Sequence, residues 1–140
     1  MDYTRYASLN HRVVFISGGS SGIGAELVRA FAAQGSRVAF CGTKVGGGDT
    51  LIKACTDAGH PAPWYGACDV RDTAAYQALL ATVAGDIGPV QVLVNNAGRD
   101  DRHAMEDVTS EFWDDRMALN LKHYFFAIQA VAPGMTQAGG

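Results

Sequence analysis

Apolar residues along this chain follow two alternating patterns. Val13-Val14-Phe15-Ile16, within the segment Arg12 to Ser17, is a run without a polar break that ends at a cluster of glycines. Such a run predicts a strand buried on both faces, the kind found in parallel sheets. Arg37 to Cys41 and Val90 to Val94 read the same way. Pro63 to Ala67 is a weaker strand, because Pro63 and Gly66 both lower strand propensity. Between the runs the spacing turns helical. Ile23 to Gln34 places Ile23, Leu27, Val28, Ala30 and Phe31 on one face, with Gly35 where a C-terminal cap belongs. Asp49 is placed to cap a helix running to Ala58, which Gly59-His60-Pro61 ends. Asp72 to Gly85 aligns Tyr76, Leu79, Leu80 and Val83. A polar loop from Asn96 to Asp107 leads to one long helix, Thr109 to Ala132, capped by Thr109 or Ser110 and stopped by Pro133-Gly134.

The order β-α-β-α-β-α-β-α predicts an α/β fold with helices on both sides of a parallel sheet. Right-handed crossovers restrict the topology, and a doubly wound sheet in the order 3-2-1-4 is the expected one. The length of 140 residues suits one domain, and 48% hydrophobic with 18% charged residues is a globular composition. The net charge is −3 and no basic stripe is present, so no nucleic-acid partner is expected. The polar start, Met1 to Asn10, does not resemble a signal peptide. No apolar run approaches the roughly 20 residues of a membrane span. Cys41, Cys55 and Cys68 are widely separated, and His11, His60, His103 and His123 lack ligand spacing, so no metal site is expected. A reduced cytoplasmic protein follows as the expectation.

Candidate chemistry concentrates where the first strand meets the first helix, at Ser17-Gly18-Gly19-Ser20-Ser21-Gly22-Ile23-Gly24. A helix N-terminus offers unpaired amides and a partial positive charge, which suit a pyrophosphate. Glycines let the backbone turn sharply and approach a ligand closely. The spacing is G-x-x-x-G-x-G, unlike the commoner G-x-G-x-x-G fingerprint. A turn that simply favours glycine is the alternative. Asn95-Asn96-Ala97-Gly98 closes the fourth strand, which in a 3-2-1-4 sheet opens onto the same crevice. Its alternative is a turn that uses asparagine for its tolerance of turn geometry. Asp69-Val70 follows the third strand on that edge, either to accept from an adenine amino group or to cap the next helix.

Together these segments resemble the short-chain dehydrogenase/reductase family. Gly18, Gly22, Ile23 and Gly24 match its TGxxxGIG motif, with Ser17 in place of threonine. Asp69-Val70 matches its adenine-contacting pair, and Asn95 to Gly98 its NNAG motif. Asn120, in Leu119-Asn120-Leu121-Lys122, falls on the asparagine of its catalytic tetrad. The resemblance implies a Rossmann-type domain and NAD or NADP as cofactor. The implied cofactor-binding residues are Gly18, Ser20, Ser21, Gly22, Ile23, Gly24, Gly42, Thr43, Lys44, Asp69, Val70, Asn96, Ala97 and Gly98. Gly98 to His103, Glu106 to Thr109, Phe112 to Asp114, Asn120 to His123 and Gln129 to Met135 look like the aldose-dehydrogenase branch of the D-xylose 1-dehydrogenase type. That branch implies a small alcohol or sugar substrate oxidised at C1, with Asp100 to His103 near the crevice mouth, where they either shape a polyol site or form a solvated loop of mixed charge. A homo-oligomer is implied too, with Phe125, Phe126, Ile128 and Val131 on a helix that packs against neighbours.

Two departures qualify the resemblance. NAD-using members carry an acid at the end of the second strand, roughly 20 residues after the glycine loop begins. Here Cys41-Gly42-Thr43-Lys44 has none, and Thr43 and Lys44 suit a 2′-phosphate, which tips the expectation toward NADP. The family also uses a serine and a Tyr-x-x-x-Lys pair for proton transfer. None of Tyr3, Tyr6, Tyr65, Tyr76 and Tyr124 has a lysine four residues later. The expectation is an incomplete four-strand domain over residues 1–140, cut before the fifth strand and inactive alone. A non-catalytic dinucleotide-binding or regulatory module is the alternative.

Overall fold

The structure is a computed structural model, and it describes residues 4–139. Its elements are β1 (Val13–Ile16), α1 (Gly22–Ala33), β2 (Arg37–Gly42), α2 (Asp49–Asp57), β3 (Trp64–Ala67), α3 (Thr73–Ile87), β4 (Val92–Val94), α4 (Ser110–Met117) and α5 (His123–Gln137). Short 3-10 turns lie at Ala7–Leu9 and Met105–Asp107, and a π turn at Ala118–Lys122 joins α4 to α5. The four strands are parallel and run β3-β2-β1-β4 across the sheet, as the crossover rule predicts.

Alternation along the two central strands divides the core into halves. Val14, Ile16, Val38 and Phe40 face Ala25, Val28 and Ala32 of α1 and Leu51 and Cys55 of α2. Val13, Phe15, Ala39 and Cys41 face Tyr76, Leu80 and Val83 of α3 and Ala127 and Val131 of α5. All four residues of β1 are buried, so each contributes about 1.5–3 kcal/mol of apolar burial. The unbroken apolar run is therefore the signature of a strand covered on both sides. Gly35 adopts φ 83° after α1, the left-handed stop its position predicts. Asp72 caps α3 by accepting from the Ala75 amide at 3.0 Å, and Thr109 caps α4 by accepting from Phe112 at 3.2 Å.

Several boundaries differ from the pattern's forecast. Asp49 is the first residue of α2, behind Gly48 at the cap position. The single helix expected from Thr109 to Ala132 is two helices with a π turn between them. Pro133 does not end α5, which continues to Gln137. A proline frees only the carbonyl four residues back, and here that residue, Gln129, is exposed rather than buried in the core. Met135 still packs on the core, which carries the helix onward. Of the residues expected to be left for a partner on this helix, Phe125 and Ile128 are exposed, but Val131 is buried against α3 and β1, and Phe126 is partly covered.

Candidate functional site

The carboxyl ends of all four strands open onto one groove of about 680 Å³. Ser17 ties its central walls together. This side chain is fully buried at the end of β1, and its Oγ accepts from the amides of Asn96 and Ala97, both at 3.0 Å. In return the Asn96 side-chain amide donates to the carbonyls of Ser17 (3.0 Å) and Gly18 (3.2 Å). The first glycine turn and the turn after β4 are thus laced together by reciprocal hydrogen bonds. The match of serine to a threonine position points to Ser17, but nothing in the one-dimensional pattern signals this lacing.

Glycine is required at two points of the loop. Gly18 sits at φ 67°, in the left-handed region, against Ala97. A Cβ on Gly24 would lie 2.1 Å from the Gly18 carbonyl oxygen and 2.7 Å from the Asn96 amide nitrogen. The first turn of α1 therefore presses directly on the loop. Ser21 stands at its N-cap and makes no side-chain capping bond, so the leading amides of α1 are not taken by a side chain at the groove end. Ile23 is 77% exposed beside them, an apolar side chain at the groove mouth.

Gly18, Ser20, Ser21, Ile23, Gly24, Gly42, Thr43, Asp69, Val70, Asn96, Ala97 and Gly98 all line this groove. Gly22, Lys44 and Asn120 do not. Gly22 takes φ 54° with open space where a Cβ would be, so its role is the backbone bend. Lys44 is exposed, and its carbonyl accepts from the Tyr65 hydroxyl. Asn120 lies behind the wall in the π turn: its Oδ1 accepts from the Arg99 amide (2.7 Å) and its Nδ2 donates to the Arg99 carbonyl (3.0 Å). It grips one residue of the loop after Gly98 from both sides, a structural use of its side chain.

Sequence reasoning passed over Cys41, Cys68, Arg71, Arg99, Arg116 and Leu119, which also line the groove. Arg71 matters most at the edge formed by the turn after β3. Its guanidinium holds the Asp69 carboxyl below the usual carboxylate range, and both Asp69 oxygens accept from it at 2.6–3.1 Å. Asp69 is therefore ionised and already partly engaged before any ligand arrives. Burial pushes the Cys41 thiol up to about 12, so it stays protonated on the groove floor.

His123 supports the same turn from beneath. It is fully buried, and its Nε2 lies 3.0 Å from the Ala97 carbonyl. A carbonyl only accepts, so Nε2 carries the proton. Tyr124 donates to the same oxygen at 3.4 Å, and Tyr76 meets the ring edge-on at 5.9 Å. Burial lowers the His123 pKa, against the raising effect of the Ala97 bond. A histidine kept neutral in the fold adds stability that is complete above its unfolded value of about 6.5 and is lost as pH falls through the folded value. Unfolding free energy is expected to be flat from pH 8 to 7 and to decline below 6.5, by at most about 1.4 kcal/mol per pH unit from this one group. Urea titrations of wild type and His123→Gln across that range test it; an equal slope in both would refute the assignment.

The cradle fits a dinucleotide by its own geometry: a glycine contact that admits no Cβ, an uncapped helix start, and a turn laced to it across β1 and β4. Residues 12–140 match the family model for short chain dehydrogenases. The chain is 46% identical over 136 residues to a D-xylose 1-dehydrogenase of Caulobacter vibrioides, covering 96% of this chain and 52% of that protein. It is 44% identical over 137 residues to a probable galactose dehydrogenase of Rhizobium meliloti, covering 98% of this chain and 54% of the relative. A metagenomic short-chain oxidoreductase solved in complex with NADP superposes with a TM-score of 0.87 at 31% identity, over 94% of this chain and 59% of that one. The chain thus spans about half the length of the curated relatives it matches. With motifs, strand order and groove all in agreement, this chain belongs to the short-chain dehydrogenase family.

Proposed function

We propose that the groove binds NADP(H) or NAD(H) as the cofactor-binding part of an oxidoreductase that moves hydride to or from an alcohol or sugar hydroxyl. The observation that carries this reading is the joining of the glycine loop to the Asn96–Gly98 turn around Ser17, which builds one wall system at the switch point of the sheet. Gly18, Ser20, Ser21, Ile23 and Gly24 would hold the pyrophosphate, with Gly22 supplying the bend of the loop, and Asp69 and Val70 would hold the adenine. Asn96, Ala97 and Gly98 would hold the nicotinamide ribose. The cofactor supplies the hydride chemistry; these residues bind and orient it.

The end of β2 supports NADP over NAD. No carboxylate stands at Cys41-Gly42-Thr43-Lys44 to bind ribose hydroxyls or repel a 2′-phosphate, and Thr43 lies in the groove. Likeness to dehydrogenases named for xylose and galactose supports an aldose substrate, oxidised at C1. The 140 residues contain no Tyr-x-x-x-Lys, so we place the proton-transfer groups outside them. A non-catalytic dinucleotide module rests on the same absence. A reading frame that continues into a serine and Tyr-x-x-x-Lys supports the enzyme; an unrelated continuation supports the module. Association of copies is proposed through the stripe Trp113, Leu121, Phe125 and Ile128, all more than half exposed.

Fluorescence titration of the protein, expressed from its full reading frame, is expected to show saturable binding of NADPH and weaker binding of NADH. A panel of aldoses with both oxidised cofactors then tests the reaction. Folded protein that leaves NADPH fluorescence unchanged at millimolar concentration would overturn the reading of the groove.

A further inference from the structure

One wall of the groove is held by charge. Asp69 pairs with Arg71 at 2.6 Å, Arg71 with Asp115 at 2.7 Å, and Asp115 with Arg116 at 2.5 Å. Arg116 also pairs with Asp101, and Asp101 with Arg99 at 2.9 Å. Six charges of alternating sign thus run without a break from the turn after β3, across α4, to the loop after β4. Four of them, Asp69, Arg71, Arg99 and Arg116, line the groove.

Nothing apolar takes the place of this chain. α4 has no buried residue, and no residue from 99 to 109 is buried. The remaining fastenings are the Asn120 grip on Arg99 and the Phe112 ring. His103 lies on that ring at 4.0 Å and the Arg116 guanidinium at 5.2 Å. Isolated surface ion pairs contribute little, but Arg116 is different. Its side chain is 20% exposed, and its two terminal nitrogens reach Asp101 in the loop after β4 and Asp115, its neighbour on α4. Only a planar fork does this; a lysine offers a single point charge.

We propose that Arg116 is a positioning residue for the cofactor: by pairing with Asp101 while it holds Asp115, it ties the loop after β4 to α4, whose Asp115 grips Arg71 in the turn after β3, and so sets the spacing of the wall that receives the dinucleotide. The proposal rests on the reading of the groove as a dinucleotide site. It does not need Arg116 to touch the ligand. It therefore makes a counterintuitive forecast for Asp101. Removing a negative charge near an anionic cofactor should tighten binding if local charge were all that mattered. Loss of the bridge should weaken it.

The test uses the protein expressed from its full reading frame, with NADPH titrated by fluorescence and amide exchange followed by mass spectrometry. Arg116→Lys is expected to bind NADPH about tenfold more weakly, in line with loss of one charge-assisted hydrogen bond, and Arg116→Met, which loses both, at least as weakly. Asp101→Asn is expected to weaken it too. Exchange should quicken in residues 99–103 and 69–72 of the variants, with little change in melting temperature, because no buried apolar contact is lost. Full affinity in Arg116→Lys, or tighter binding by Asp101→Asn, would reduce Arg116 to a local charge and overturn the proposal. Unchanged exchange in Arg116→Met would do the same. If wild type itself binds no NADPH, the reading of the groove fails, and the exchange pattern still decides the bridge. Should Arg116→Met not fold, Asp101→Asn and Asp115→Asn carry the test.

Discussion

Gly24→Ala is expected to abolish dinucleotide binding while leaving a folded but weakened protein. The added methyl would sit 2.1 Å from the Gly18 carbonyl oxygen and 2.7 Å from the Asn96 amide nitrogen. Neither neighbour is the free end of a flexible side chain. Gly18 is held at φ 67° against Ala97, and the Asn96 amide is committed to two carbonyls. Relief therefore requires α1 to move away from the loop or the lacing to break, and either opens the cradle. Forced overpacking of this kind costs about 1–3 kcal/mol of stability. Binding should fall by more than about 100-fold, because the amides that would meet the pyrophosphate no longer converge. Gly22→Ala is the control. Open space surrounds its Cβ position, so only the φ of 54° opposes the methyl, at about 1–2 kcal/mol. NADPH titration and thermal melts of both variants check this; a Gly24→Ala protein with wild-type affinity would show that the close approach is not needed.

The second large effect is expected at Ser17. Ser17→Ala removes the one oxygen that accepts from the Asn96 and Ala97 amides at the fully buried end of β1. Two amides without partners should destabilise the fold by about 2–4 kcal/mol. Affinity for NADPH should fall with it, since the turn after β4 loses its tether to the glycine loop. Ser17→Thr keeps the acceptor and should recover most of the loss. Urea unfolding followed by circular dichroism gives the stability difference, and a Ser17→Ala change under about 0.5 kcal/mol would remove the lacing as a determinant of the site.

These two sites show how unevenly the chain displays its structure. The glycines were visible because backbone that must bend or approach closely admits few other residues. The sheet order was visible because buried parallel strands leave unbroken apolar runs and crossovers have one hand. The π turn gives no such signal. It arises where α4, which buries nothing, meets α5, whose His123, Ala127 and Val131 are driven inward. Lys44, expected to bring positive charge to a 2′-phosphate, is exposed and does not line the groove, and its carbonyl accepts from the Tyr65 hydroxyl.

By itself, then, the sequence determined the β3-β2-β1-β4 sheet, the place where its strand ends open, and the glycine lip of the groove. Those features depend on local conformation and on apolar periodicity, both of which are written in neighbouring residues. Only the tertiary structure decided that Ser17 laces two turns together, that His123 lies neutral beneath Ala97, and that six charges from three elements join across Arg116. Such contacts join residues tens of positions apart, and their geometry exists only once the sheet has brought the carboxyl ends of β1, β3 and β4 to one edge.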